Sequence, residues 1–345
     1  MGETYNVRLE PVGIEFEVDE DETVLRGAFR QGLMLMHGCK EGQCAACKSF
    51  LLDGEVDLDK YSNFALNDFE KEEGWTLLCR AHAMSDLEVE LINYDEEILR
   101  SGIPEQTEEL AVETVESLTH DIYRLVLDAT EITYRPGQYV DVHIPGGDDV
   151  RSFSMANLPD AGKLEFMIKA YPDGKFSGLL AGRNGDDGIK AGDRLTVTGP
   201  YGVFTMRRTS DRPLLFIGGG AGMAPILALL RALAAEGSDR KAVFYYGART
   251  PADLFHLDEL AAIEERCGNF RFVPALSDCE EGETWDGERG LITDVVARSE
   301  EDLSGMDAYL CGPPPMVDAA IAMLDAKGVP EDRVFYDKFT TTAPE

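Results

Sequence analysis

No long uninterrupted apolar run occurs in this chain of 345 residues. The longest nearly apolar stretch, Leu214 to Leu230, carries four glycines and Pro225. It reads as strand, loop and helix rather than as a membrane span. Basic charge is scarce: 32 Lys and Arg stand against 65 Asp and Glu, a net of −33. Bare nucleic acid and anionic membranes both require a cationic footprint, so neither is an expected partner. The balance suits partners with basic patches, although a solvated acidic surface with no specific partner has the same composition. The opening residues, Met1-Gly-Glu-Thr-Tyr-Asn, lack a basic segment followed by an apolar one, and the expectation is a cytoplasmic protein. An evenly paired cysteine set is missing too. Seven cysteines, an odd number, favour metal ligands or free thiols over disulfides. Internal repeats and low-complexity tracts are also absent from the sequence.

The length fits two to three domains, and the pattern divides into three parts: an α+β module, an antiparallel β-barrel and a doubly wound α/β module. Residues 1–98 form the first. The first hundred residues hold 9 basic and 23 acidic side chains, a net of −14, denser than the chain as a whole. Tyr5 to Leu9 and Ile14 to Val18 alternate in character around Pro11 and Gly13, which predicts a hairpin. Thr23 to Gln31 reads as a short helix with Thr23 near its cap. A loop rich in glycine and cysteine follows, and Leu87 to Ile92 reads as a closing strand. The polar stretch from Asp95 to Glu109, with Gly102 and Pro104, places a linker at 99–109. Residues 110–208 hold short β-type runs (Ala111 to Val115, Tyr123 to Leu127, Tyr139 to Ile144, Leu164 to Ile168, Leu195 to Thr198) separated by turns, the spacing of a small antiparallel barrel. In residues 211–345, strands (Leu214 to Ile217, Ala242 to Tyr246, Phe270 to Pro274, Ala308 to Cys311) alternate with helices (Ala224 to Ala235, Leu257 to Arg266, Met316 to Lys327). That alternation predicts a parallel sheet covered on both faces.

Four cysteines carry the strongest chemical signal. Cys39-x4-Cys44-x2-Cys47 is followed by Cys79 after 31 intervening residues, the plant-type [2Fe–2S] spacing. Three thiolates on one tight loop wrap most of a small cluster, and the fourth, from a distant segment, closes the cage. Gly38 and Gly42 suit such a loop, because glycine lets backbone N–H groups approach the sulfurs. Scattered buried cysteines are the bland alternative. Structural zinc sites show two close cysteine pairs, whereas Cys79 has no near neighbour in sequence. Cys267 and Cys279 fit no pattern and read as ordinary thiols.

The other motifs are weaker singly. Arg151-Ser152-Phe153-Ser154 falls on a predicted barrel strand, and Gly174-Lys175-Phe176-Ser177 opens a helix. An arginine fork can pair with a pyrophosphate, and a helix N-terminus offers N–H groups to the same anion. An aromatic ring can lie on an isoalloxazine and a serine hydroxyl can reach its N5. Alone, each tetrapeptide is more often a surface strand or a helix cap than a site. Gly218 to Pro225 lies between strand and helix, the context of a dinucleotide phosphate loop, although it is not the G-x-G-x-x-G pattern. Cys311-Gly312-Pro313-Pro314 ends a later strand of the same sheet, where ligands bind.

Together and in this order, with Pro136-Gly-Gln-Tyr139, Gly199-Pro-Tyr-Gly-Val-Phe204 and Phe335-Tyr-Asp-Lys-Phe339, these motifs span essentially the whole chain. The sequence resembles the NADH-dependent reductase components of soluble multicomponent monooxygenases, those of the di-iron methane and propane enzymes in particular. The resemblance implies a β-grasp ferredoxin domain, an FAD-binding barrel and an NAD-binding domain, in that order. It implies that Cys39, Cys44, Cys47 and Cys79 hold the cluster. Arg151 and Ser152 would serve the FAD pyrophosphate strand, Phe153 would pack on the flavin, and Ser154 would lie near N5. Met167, Ile168 and Lys169 would present backbone to the cofactor, and Gly174, Lys175, Phe176 and Ser177 would hold its phosphates. Gly219, Gly220, Ala221 and Gly222 would line the path of the NADH pyrophosphate. Cys311, Gly312 and Pro313 would approach the nicotinamide, and Phe339 would cover the flavin. Ser154, Cys311 and Phe339 are the expected catalytic contacts.

Two departures stand out. Phe153 replaces the usual tyrosine, which removes a phenol hydrogen bond and keeps the stacking. Ala221 replaces a frequent hydroxyl residue, which implies somewhat weaker or slower hydride transfer. Arg249, just after a strand, could serve a 2′-phosphate, but Asp253-Leu254 resembles the NADH-using members, and local acidity disfavours the extra phosphate; NADH is the expected donor. The implied chain is NADH to FAD to [2Fe–2S] to the hydroxylase of an alkane-type monooxygenase. The open alternatives are a phenol or toluene hydroxylase or a Rieske dioxygenase as partner, a non-catalytic iron–sulfur redox sensor, and a flavin diaphorase whose cysteine module is only structural.

Overall fold

The computed structural model describes residues 2–129, 131–182, 188–279 and 285–339. The chain forms two compact units, Met1–Thr107 with Gly199–Val203, and Glu108–Thr198 with Phe204–Glu345.

The first unit holds β1 (Thr4–Glu10), β2 (Ile14–Asp19), α1 (Val24–Arg30), β3 (Lys48–Asp53), β4 (Val56–Leu58), α2 (Asp68–Glu72), β5 (Trp75–Leu77), β6 (Ala81–Ala83), β7 (Leu87–Glu90) and α3 (Glu96–Leu99). Alternation makes the hairpin: Val7 and Leu9 on β1 face inward with Phe16 and Val18 on β2, all buried. Gly13 turns the chain at φ +63°, a conformation that costs glycine nothing. Thr23 caps α1 by accepting the Arg26 N–H at 3.3 Å, and Val24, Leu25, Ala28 and Phe29 bury the inner face of the helix. β7 lies parallel to β1 in a sheet of order β2-β1-β7-β3-β5, and α1 packs against β2; this is the β-grasp arrangement. The segment read as a linker is more ordered than expected. The polar stretch leading into it holds α3, capped by Asp95, with Ile98 and Leu99 buried. The next strand already begins at Gln106.

The second unit contains a barrel and an α/β layer. β8 (Gln106–Ser117), β9 (Ile122–Asp128), β10 (Tyr139–His143), β11 (Val150–Ser154), β12 (Lys163–Lys169) and β13 (Arg194–Tyr201) form one sheet, with α4 (Lys175–Leu180) beside it. The order is β11-β10-β13-β8-β9-β12. An antiparallel bridge between Met155 and Phe166 joins the two edges and closes the barrel. Leu125, Leu127, Val140, Val142, Phe166 and Val197 fill it.

The α/β layer runs β14 (Leu214–Gly219), α5 (Met223–Glu236), β15 (Ala242–Ala248), α6 (Leu257–Arg266), β16 (Phe270–Leu276), β17 (Glu288–Arg289), α7 (Ile292–Ser299), β18 (Asp307–Gly312), α8 (Pro314–Ala326) and β19 (Val334–Lys338). Its sheet has the order β17-β16-β15-β14-β18-β19 with parallel pairing. Leu214 and Phe216 of β14 pack with α5 and α6 residues such as Leu227 and Leu260. Leu215 and Ile217 point the other way, toward Val295 of α7 and Val317 of α8. From β14 the chain winds outward through β15, and later returns to place β18 on the opposite side. The carboxyl ends of β14 and β18 therefore flank the point where strand order reverses, the crevice in which such sheets bind ligands. Among the described residues no helix is long and apolar enough to cross a membrane.

Candidate functional site

The cysteine loop between α1 and β3 is built by backbone that most residues avoid. Lys40, Gly42 and Ala45 all have positive φ, at 58°, 69° and 59°. A Cβ on Gly42 would meet Tyr61 Cβ at 2.7 Å and Arg80 Cγ at 2.9 Å, so glycine is required twice over. The reward for this strain is a ring of donors aimed at sulfur. The Glu41 and Gln43 N–H groups donate to Cys39 Sγ at 3.4 and 3.2 Å, and the Cys39 N–H donates to Cys44 Sγ at 3.3 Å. Cys79 arrives from the turn after β5, where the Leu78 N–H bonds the Cys47 carbonyl at 3.2 Å.

The sulfurs fall into two hydrogen-bonded pairs, Cys39 with Cys44 and Cys47 with Cys79. The Cys44 thiol and the loop amides hold Cys39 down at about 5. Cys47 is lowered chiefly by Cys79, while Cys44 and Cys79 are raised by their neighbouring thiols and by burial. Here thiols stand in for the thiolates that would ligate iron. Two pairs suit two metal centres that each take two thiolates, and N–H groups on sulfur suit a cluster that gains negative charge. The residues fit a [2Fe–2S] group.

In the barrel, β11 carries Arg151, Ser152, Phe153 and Ser154. The structure brings the second motif to the first: the Phe176 ring of α4 lies 5.1 Å from that of Phe153, and Lys175 Nζ pairs at 2.7 Å with Asp149, just before β11. Gly174 caps α4 with no side-chain bond, which leaves its first amides open to an anion. A Cβ there would collide with Ser177 Oγ, a hydroxyl that accepts the Tyr171 N–H at 3.2 Å. Ser154 is buried. Other expected contacts are engaged elsewhere. Ser152 donates to Asp141 Oδ1 across the strand pair at 2.6 Å. Lys169 Nζ pairs with Asp121 at 3.0 Å. Met167 and Ile168 bury their side chains in two different cores, so only their backbone can face a cofactor. Arg151 and the open helix end fit an FAD diphosphate.

At the switch point β14 ends in Gly219 and a single turn, Gly220–Gly222, leads into α5. Cys311 pairs with Gly218 across β18 and β14. The two loops approach too closely for side chains: a Cβ on Gly222 would strike the Cys311 carbonyl, and one on Gly312, at φ +147°, would stand 2.9 Å from the Gly219 carbonyl. Ala221 is partly buried against the same core, and Pro313 caps α8. The Phe339 N–H donates to the Gly312 carbonyl at 3.0 Å, which brings the chain's tail to this turn. Cys311 is fully buried and its thiol is pushed up by burial. Asp337 lies beside it in register, its carboxyl pushed up to about 6 by burial. No pattern in the sequence marks Asp337, although it sits inside the tail motif that ends in Phe339.

The two half-sites adjoin. β12 touches the glycine turn Gly220–Gly222 and α5, and Tyr246 donates its hydroxyl to the Gly220 carbonyl at 3.1 Å. A buried ion chain fastens the same region. Arg231 of α5 reaches Glu165 of β12 at 2.7 Å and Glu259 of α6 at 2.6 Å, and donates to the Ala156 carbonyl at 2.8 Å. No sequence motif marks this chain, because its members lie far apart. Arg249, at the end of β15, pairs with Asp278 at 2.9 Å, a partner the sequence gives no reason to choose.

Three sequence families match: residues 7–84 a "2Fe-2S iron-sulfur cluster binding domain", 109–206 an "Oxidoreductase FAD-binding domain" and 216–321 an "Oxidoreductase NAD-binding domain". The reductase component of propane 2-monooxygenase from Mycolicibacterium goodii is 51% identical over 99% of this chain and 99% of its own length. The reductase component of phenol 2-monooxygenase from Pseudomonas sp. (strain CF600) is 34% identical over 99% of this chain and 96% of its own. Among solved structures, the Amycolatopsis cytochrome P450 reductase GcoB superposes with a TM-score of 0.88 at 31% identity, over 98% of this chain and 99% of that one.

Proposed function

The chain belongs to the family of monooxygenase reductase components with 2Fe-2S, FAD-binding and NAD-binding domains, and on that premise we propose that it carries electrons from NADH to the hydroxylase of a di-iron monooxygenase acting on propane or a similar alkane. When bound, FAD accepts a hydride and releases its electrons singly, and the [2Fe–2S] cluster takes them one at a time. The residues do the holding. Arg151 offers its planar fork to the FAD diphosphate, helped by the open amides at Gly174 to Ser177. Phe153, braced by Phe176, would support the ring system, and the Ser154 hydroxyl would serve N5. Gly219, Gly220 and Gly222, with only the Ala221 methyl among them, would leave a close path for the dinucleotide, while Cys311, Gly312 and Pro313 would border the nicotinamide. Phe339, held at the Gly312 turn by its N–H, would cover the flavin. A hydride step needs no general acid or base, so positioning carries the rate. The working modules are residues 1–98, 110–208 and 211–345, joined through 99–109, and the compartment is the cytoplasm.

The observation that carries this reading is the strained loop that turns the Glu41, Gln43 and Cys39 N–H groups onto cysteine sulfur, on the same chain as a glycine turn lying against β12. The deciding variant is Cys44→Ser. Reduction of a dye by the flavin should persist, and delivery of electrons to a one-electron protein acceptor should vanish. Unchanged delivery would make the cysteine module merely structural. The likeness to a phenol 2-monooxygenase reductase favours a second reading, an aromatic hydroxylase as partner. Mixing the reduced protein with alkane and phenol hydroxylases and measuring product decides between them.

A further inference from the structure

In a doubly wound sheet, the adenosine end of a dinucleotide meets the strand that follows the glycine-turn helix. An acidic side chain there takes the ribose hydroxyls, and an arginine there takes a 2′-phosphate. In this chain that strand is β15. Its Gly247 is level with Gly219 of the glycine turn, and Arg249 follows two residues beyond. Taken alone, Arg249 argues for a phosphorylated donor.

The neighbouring strand answers that argument. The ladder between β15 and β16 continues past both strand ends: the Ser277 N–H donates to the Ala248 carbonyl at 3.0 Å and the Asp278 N–H to the Arg249 carbonyl at 2.9 Å. Backbone bonds thus hold Asp278 at the side of Arg249. Arg249 Nε donates to Asp278 Oδ2 at 2.9 Å, and the Ser277 hydroxyl donates to the other oxygen at 3.1 Å. The pair is mutual in its effect, with Asp278 held below the ordinary carboxylate range by Arg249 and Ser277. Asp253 and Asp121 add their negative potential at the same guanidinium. Asp253 is itself fixed, accepting from the Thr250 N–H at 2.8 Å and the Thr250 hydroxyl at 2.9 Å. Asp121 and Asp253 have partners of their own, Lys169 at 3.0 Å and His120 at 3.5 Å, so the carboxylate that engages Arg249 directly is Asp278, and a dianionic 2′-phosphate would have to displace it.

We propose that Asp278 is the specificity-determining residue of the nucleotide site: by holding Arg249 it converts an arginine suited to a 2′-phosphate into part of a surface that admits only a free 2′-hydroxyl. The proposal rests on the reading of this crevice as the site of the nicotinamide donor. It goes further by naming the side chain that makes the choice.

The test uses the full-length holoprotein and calorimetric titration with two probes, AMP and adenosine 2′,5′-bisphosphate. An exposed ion pair contributes little to stability, so Asp278→Asn should fold, and its flavin and cluster absorbance reports that it has. In Asp278→Asn the bisphosphate should bind about tenfold more tightly, the scale of one new charge-assisted hydrogen bond, while AMP should bind as it does to the wild type. The catalytic efficiency with NADPH should rise in step through a lower KM. Both gains should disappear in the double variant Asp278→Asn/Arg249→Ala. An unchanged bisphosphate affinity in Asp278→Asn overturns the proposal, as does a gain that survives loss of Arg249. A wild-type protein that uses NADPH as well as NADH overturns the donor reading itself, before any variant is made.

Discussion

Gly222 shows how much a single hydrogen in place of a methyl group can decide. Its φ is −61°, ordinary for any residue, so conformational freedom is not why glycine stands there. The reason is proximity: any Cβ would strike the carbonyl and peptide carbon of Cys311. Gly222→Ala must push the end of β18, with Cys311 and Gly312, away from the turn that β14 presents. A displacement near 1 Å at a hydride-transfer site costs on the order of 100-fold in rate. Stopped-flow absorbance should show flavin reduction by NADH slowed to that degree. Reduction of the cluster by dithionite should be unaffected, because the cysteine loop belongs to the other unit. Gly42 is a different case, constrained both by φ +69° and by Tyr61 and Arg80.

At the scale of elements, the ion chain through Arg231 ties α5 to β12 and α6. Glu165 keeps only 5% of its side chain exposed. Burial would raise its carboxyl, and Arg231 with Arg124 more than offsets that, so it is held below the ordinary range. Arg231→Met removes one of two cations from a buried carboxylate, a loss of about 3 kcal/mol, visible as a lower denaturation midpoint. For Glu259, burial also acts upward, but the His256 hydrogen bond and Arg231 bring the carboxyl to about 2. A carboxyl lower in the folded state than its free value of about 4.3 contributes stability above that value and loses it as pH falls toward the folded one. The stability gap between wild type and Glu259→Gln should therefore be full above about pH 5 and narrow steadily below it. A gap that widened on acidification would contradict the pairing.

The same scale shows what a sequence can and cannot convey. α6 is legible from end to end, because its apolar positions recur at helical spacing. α7 is not: Ile292-Thr-Asp-Val-Val is rich in β-branched residues, and no side chain caps its start. β3 to β6 leave little trace in the pattern because most are three residues long and pair with distant partners. The polar composition of 95–109 suggests bare chain, but Ile98 and Leu99 are enough to seat a helical turn there. In the site, the iron–sulfur domain is legible from the cysteine spacing, and the glycine turn from its place between strand and helix. The pairing of sulfurs, Ser152's commitment to Asp141 and the hold of Asp278 on Arg249 depend on register between strands, which local pattern does not encode.

The whole molecule carries a net charge of −33, and this bears on the partner more than on the fold. Self-repulsion of that size opposes compactness and gains nothing inside the chain, so its natural use is outside, against a cationic surface. Steered encounters are fast at low salt and slow as the screening length shrinks from about 10 Å at 0.1 M to about 3 Å at 1 M. Reaction of NADH with the flavin takes place within one unit and depends on short contacts, so it should respond much less. The expected result is a fall of about tenfold or more in the second-order rate of electron delivery to the hydroxylase between low and high salt, with dye reduction by NADH nearly level across the same range. If both rates fell together, salt would be acting on the donor site. If neither fell, the acidic surface would serve solubility alone and docking would rest on apolar contacts.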